Sequence, residues 1–276
     1  MAGGPAEGAL RLAAPAKLTL ALHVVGRRTD GYHLLDALVG FCGLADSLTV
    51  RPAAAVRLAV DGPFAAAIDG GNLVQRAAEA LAPGRGADIA LTKRIPVAAG
   101  LGGGSADAAA ALRLLSRLWG VAVPEGLPLA LGADLPVCLY GRPARMGGIG
   151  ESLRPARLPP LALVLANPGQ ALPTAAVFRA FDGRFGAPIP VSAGLEQMRN
   201  DLEPAAVGLC PAIGGLLDRL RAEPGCRFAR MAGSGATVFA AFTQAADAAR
   251  AAAALRRDGL WAVATGLRRA AARIVA

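Results

Sequence analysis

The sequence predicts an α+β fold in two parts, and three features carry that expectation. Stretches with alternating apolar residues and stretches with helical spacing follow one another without a strict strand–helix–strand rhythm. A glycine-rich run at residues 100–104 stands immediately before the cleanest amphipathic helix. A proline-rich stretch, Pro155 to Pro160, interrupts the chain near its middle, so residues 1–155 and 156–276 are expected as separate domains. With 276 residues, 54% of them hydrophobic and 18% charged, each part can bury its own core.

Taken in order, residues 17–25 alternate as a half-buried strand, with Leu18, Leu20, Leu22 and Val24 on one face and Lys17, Thr19, Ala21 and His23 on the other. Asp30-Gly31 predicts a turn that delivers Tyr32 and His33. Residues 34–50 and 56–60 read as strands, 72–82 as a helix, and 87–93 as a strand leading into the glycine run. Ser105 is placed to cap a helix over 106–119, with Ala108, Ala111, Leu112, Leu115, Leu118 and Trp119 as its apolar face and Gly120 as its stop. Beyond the prolines, 161–166 reads as a strand, 174–181 and 211–222 as helices, and 227–231 and 236–242 as strands flanking Ala232-Gly-Ser-Gly235. A helix over 244–257 and a strand over 260–265 complete the pattern.

Composition excludes several classes of function. The net charge of +9 suggests a nucleic-acid partner, but the basic residues are dispersed and aromatics are only 4%. No run approaches the roughly 20 apolar residues of a membrane span, and Glu7 and Arg11 interrupt any leader-like pattern. Four scattered cysteines and two histidines form no zinc spacing. The expectation is a cytoplasmic protein that acts on a small molecule, with no nucleic-acid or membrane partner. Among the 29 basic residues only Lys17 and Lys93 are lysine, and both flank the motifs that follow.

Pro96, Val97, Ala98, Ala99, Gly100, Leu101, Gly102, Gly103, Gly104, Ser105 and Ala106 form the central motif. Phosphates require converging backbone N–H groups and close approach of the main chain, and glycines before a helix N-terminus supply both. No Gly-Lys-Ser/Thr follows, so this is not a Walker loop. The run P-x-x-x-G-L-G-G-G-S resembles the phosphate loop of the GHMP kinase superfamily. Ala14-Pro-Ala-Lys-Leu-Thr19 and Met231-Ala-Gly-Ser-Gly-Ala-Thr237 resemble that superfamily's other two motifs. Residues 27–34, Gly132-Ala-Asp-Leu-Pro136 and Asn200-Asp-Leu-Glu-Pro204 are similar to the branch that phosphorylates a cytidylated methylerythritol on the way to isoprenoids.

The resemblance implies a first domain similar to ribosomal protein S5 domain 2, a ferredoxin-like second domain, and ATP with Mg2+ in the cleft between them. It makes Asp134 the general base and Lys17 its electrostatic partner. Spacing alone reads Asp134 as a helix cap and Lys17 as a solvated strand-end charge. By the same resemblance Tyr32 and Phe178 sandwich a cytosine, His33 bonds the base edge, and Thr174 closes the pocket. Lys93 becomes a substrate contact, where position alone reads a surface charge. Phe178 and His33 also suit structural roles, and Ala232–Gly235 suits either a plain hairpin turn or a backing for the triphosphate. Thr19 stands where the superfamily usually has asparagine, and Ala106 stands where a second serine is frequent, which leaves the magnesium ligands unassigned. The competing expectations are a homoserine- or mevalonate-type kinase and a basic RNA-binding protein on an S5-like scaffold.

Overall fold

A computed structural model describes residues 8–68, 70–268 and 272–275. Two sheets organise it. The first is built on a long antiparallel pair, β1 (Leu10–Arg27) and β2 (His33–Pro52), joined by the expected turn, in which the Arg28 N–H donates to the Tyr32 carbonyl at 2.7 Å. The strand β1 starts seven residues before the alternation read from sequence. Small residues and Pro15 mask the period there, and Pro15 lies at a register shift that tolerates its missing donor. On its other edge β2 pairs with β4 (Ala87–Thr92) and β5 (Ala144–Gly148). β3 (Val56–Asp61) runs parallel to β4, and β6 (Ser152–Pro155) completes the sheet beside β5.

Helix α1 (Leu73–Leu81) is capped by the Asn72 side chain, which accepts from the Val74 N–H at 2.9 Å. It packs beside α2 (Gly103–Trp119) on the sheet. The structure corrects the start of α2. The cap position is Gly102 in the left-handed region (φ 60°), no side chain caps the helix, and Ser105 lies inside the first turn. Packing between β1, α1 and α4 also buries Leu114, which the amphipathic reading had left off the core face, while Leu118 is only half-buried. Two short helices, α3 (Leu127–Leu131) and α4 (Leu135–Tyr140), escape periodicity because five or six residues hardly complete a turn and a half. The strands β5 and β6 escape it for the same reason of length.

The second sheet runs β10–β7–β9–β8, all antiparallel: β7 (Ala162–Asn167), β8 (Cys226–Met231), β9 (Val238–Phe242) and β10 (Trp261–Gly266). Helices α5 (Thr174–Ala180), α6 (Glu203–Leu209) and α7 (Ala212–Arg221) lie between β7 and β8, and α8 (Ala245–Arg257) lies between β9 and β10. This βαββαβ order is ferredoxin-like. Leu18, Leu20 and Cys42 of the first sheet share a buried cluster with Leu163, Leu165 and Phe239 of the second, so apolar burial holds the halves together. Among the described residues no helix is long and apolar enough to cross a membrane.

Candidate active site

Lys17 sits inside β1, 4% exposed, instead of in solvent at a strand end. Its Nζ lies 2.9 Å from Asp134 Oδ2 and donates to Thr19 Oγ1 at 3.2 Å. Asp134 occupies the cap position of α4, yet its side chain caps nothing there. The carboxylate serves the ammonium, and the helix-cap expectation fails at the side chain. Thr19, shorter than the usual asparagine, orients Lys17 from below. Gly102 presses against this pair: a Cβ there would stand 3.0 Å from Lys17 Cε and 3.5 Å from Asp134 Oδ2. The ion pair therefore abuts the glycine loop.

The loop itself is a strained, open cradle. Ala98 has φ +53°, sparsely populated for a residue with a side chain. Among the described residues the N–H groups of 97–105 find no backbone acceptor, and the helical ladder begins with the Ala106 N–H donating to Gly102 at 2.8 Å. Unpaired N–H groups at a helix start, beneath a favourable dipole, suit an anion. Ala232–Gly235 is a hairpin turn between β8 and β9 and also the wall behind this loop. The Gly235 and Ala232 carbonyls lie 2.5 and 2.8 Å from where a Gly100 Cβ would be. Asn200, the head of the Asn-Asp-Leu-Glu-Pro motif, holds the turn by donating to the Met231 and Gly233 carbonyls at 2.9 and 2.7 Å. Asn200→Ala orphans both buried carbonyls, and urea titration is expected to show a loss of about 2–4 kcal/mol.

Tyr32, His33, Thr174 and Phe178 converge on one cleft of about 770 Å³. Tyr32 stands 61% exposed at its rim. His33 stacks on Phe178 with centroids 5.1 Å apart and meets Phe181 edge-on at 5.9 Å. Burial, and then the Arg27 guanidinium, hold the His33 pKa below its ordinary value, which keeps the ring neutral and able to accept a hydrogen bond. Thr174 shares a 2.8 Å hydroxyl–hydroxyl hydrogen bond with Ser234 of the hairpin turn, and Ala133, beside Asp134, lines the same cleft.

Lys93 does not join them. Neither the substrate contact nor the surface charge expected of it holds, because it is 2% exposed with its ammonium between Asp46 (2.5 Å) and Asp107 (2.8 Å). Sequence reasoning passed over both of these acids, and over Phe181 and Phe185 on the cleft wall. The available signal was a lone lysine in an arginine-rich chain followed at 107 by an acid inside an alanine helix face.

Comparison with known proteins agrees with this geometry. The family models for the GHMP kinases N terminal domain and GHMP kinases C terminal match residues 72–142 and 183–259. A 4-diphosphocytidyl-2-C-methyl-D-erythritol kinase of Jannaschia sp. is 53% identical over 241 residues, covering 83% of this chain and 87% of the relative. The enzyme of the same name from Paramagnetospirillum magneticum is 51% identical over 262 residues, covering 88% and 92%. A crystal structure of 4-(cytidine 5'-diphospho)-2C-methyl-D-erythritol kinase superposes with TM-score 0.82 at 41% identity, over 93% of this chain and 98% of that one. A homoserine kinase from Cytophaga hutchinsonii shares the fold alone, with TM-score 0.68 at 16% identity over the whole of both chains. The chain belongs to the GHMP kinases and, within them, to the 4-diphosphocytidyl-2-C-methyl-D-erythritol kinase family.

Proposed function

We propose that this chain is a cytoplasmic kinase that transfers the γ-phosphoryl group of ATP to the 2-hydroxyl of 4-diphosphocytidyl-2-C-methyl-D-erythritol. The observation that carries the reading is the Lys17–Asp134 ion pair, 2.9 Å across and set against Gly102 of the phosphate loop. Asp134 accepts the hydroxyl proton through its carboxylate, whose side chain is one-third exposed. Lys17 pairs with that carboxylate and offsets charge developing on the attacking oxygen. The loop N–H groups hold the phosphates in line, so positioning and electrostatics supply most of the rate.

The residues present fit ATP through this cradle of unpaired N–H groups. They build no cage for a metal: among the described residues no cluster of three or more His, Cys, Asp or Glu side chains could hold one. Mg2+, when bound with ATP, would supply charge neutralisation at the phosphates. Residues 1–155 and 156–276 are read as two domains that meet at this cleft, on the gap between β6 and β7. No nucleic-acid partner is needed, since the loop, Lys17 and Asp134 have no task in an RNA-binding module.

The test is a kinase assay that offers cytidylated methylerythritol, homoserine and mevalonate in parallel. Turnover restricted to the first supports the reading, whereas preference for either of the others overturns it. A companion measurement addresses the base. Tyr32→Ala removes one face for cytosine and should cost about 1–3 kcal/mol of binding. KM for the cytidylated substrate then rises while kcat and ATP affinity hold, because the ring lies away from the reacting hydroxyl. CMP should compete with the substrate in the wild type and compete poorly in this variant; absence of inhibition in the wild type removes cytidine from the assignment.

A further inference from the structure

The mechanism above leaves the second lysine without a role, and its surroundings are unusually specific. Asp46, on β2, accepts from Lys93 Nζ, from the Arg94 N–H and from the Ile95 N–H at 2.8 Å. Asp107, in the first turns of α2, accepts from the same ammonium at 2.8 Å. Lys93 Nζ also lies 3.3 Å from the place where a Gly103 Cβ would stand. One ammonium therefore ties together a strand of the sheet, the segment entering the phosphate loop at Ile95, and the helix turn that leaves it at Gly103.

We propose that Lys93, bridged to Asp46 and Asp107, is the positioning residue of the phosphate loop, setting the aim of its N–H groups and keeping the ground beneath the ATP phosphates free of net charge. The inference rests on the ATP-kinase reading and deepens it. Asp46 accepts from three donors, Lys93 Nζ among them, and pairs with that ammonium. Asp107 has only one donor, and its Oδ1 has no partner among the described residues. Burial and the neighbouring Asp46 charge push its carboxyl up to about 8, against the opposing pull of Lys93. From α4 it faces Cys138, a buried thiol whose pKa is raised and which stays uncharged, and beyond that the mutually neutral Lys17–Asp134 pair. Around neutral pH Asp107 keeps its proton and the cluster is neutral. Above about pH 8 it ionises and places one uncompensated negative charge under the phosphates.

The experiment is calorimetric titration of the full chain with ATP and, separately, with CMP, from about pH 7.3 to about pH 9.3, a window that brackets the Asp107 titration. Wild-type ATP affinity is expected to fall at least ~5-fold across that range while CMP affinity holds, and Asp107→Asn, which cannot ionise, should stay flat for both. Lys93→Met should weaken ATP at least ~10-fold and CMP by less than ~2-fold, a split that general loosening of the fold would not produce. Unchanged ATP affinity in Lys93→Met, no alkaline loss in the wild type, or the same loss in Asp107→Asn would each overturn the proposal. If Lys93→Met does not fold, the comparison of Asp107→Asn with wild type decides alone. A wild type that binds CMP but no ATP brings down the kinase reading and this inference together, whereas ATP bound equally by every variant brings down only the inference.

Discussion

Asp134→Asn is expected to lower kcat by at least ~10²-fold, the usual scale for loss of a general base, with KM for both substrates changing little. Asparagine retains an oxygen that can accept from Lys17, so the 2.9 Å contact has a replacement and the fold should persist. What disappears is the carboxylate proposed to take the proton. The split between kcat and KM distinguishes chemistry from binding, because the role proposed for Asp134 is on the proton and not on the phosphates or the cytosine. A folded Asp134→Asn variant turning over near the wild-type rate would reduce Asp134 to a structural partner of Lys17.

The second large effect is expected at the loop. Gly100 has φ +75°, and a Cβ there would stand 2.5 Å from the Gly235 carbonyl and 2.8 Å from that of Ala232. Both obstacles are backbone, so neither can swing aside as a flexible side chain would. Gly100→Ala must therefore adopt an unfavourable left-handed conformation, costing about 1–2 kcal/mol, and separate the loop from the hairpin behind it. Loss of ATP affinity by at least ~10²-fold is expected, since the N–H groups converge only while the loop lies against that wall. CMP binding at the aromatic cleft should survive. Calorimetry showing unchanged ATP affinity would make the glycine run a mere connector. Gly103 is a milder position, because its neighbours at 3.1–3.3 Å are the side chains of Ile95 and Lys93.

The contrast between those two glycines marks where sequence reasoning stopped. The glycine run led to the expectation of a phosphate site, because only glycine gives backbone that much access and torsional freedom. It did not reveal which glycine bears against another element, since the hairpin at 232–235 is more than a hundred residues away in the chain. Spacing likewise did not join Asp134 to Lys17, a pairing that came only from the family resemblance. As a residue between Gly132 and Pro136 it reads as a cap, and only the fold brings Lys17 to its carboxylate and so draws it away from the helix. Ser105 failed as a cap for a related reason: the chain enters α2 through a left-handed Gly102, which starts the helix at Gly103.

The sequence by itself determined the mixed fold class, most of the long alternating strands, the longer helices and the glycine run before α2. Each of these is written in local periodicity, turn chemistry or a contiguous motif. Tertiary structure alone decided that Lys93 is buried between Asp46 and Asp107, that Asn200 anchors the hairpin turn, and that the short elements α3, β5 and β6 form at all. Short elements have too few residues for a period to register. A buried charge is stable only where its counter-charges arrive, and those come from strands and helices distant in the chain.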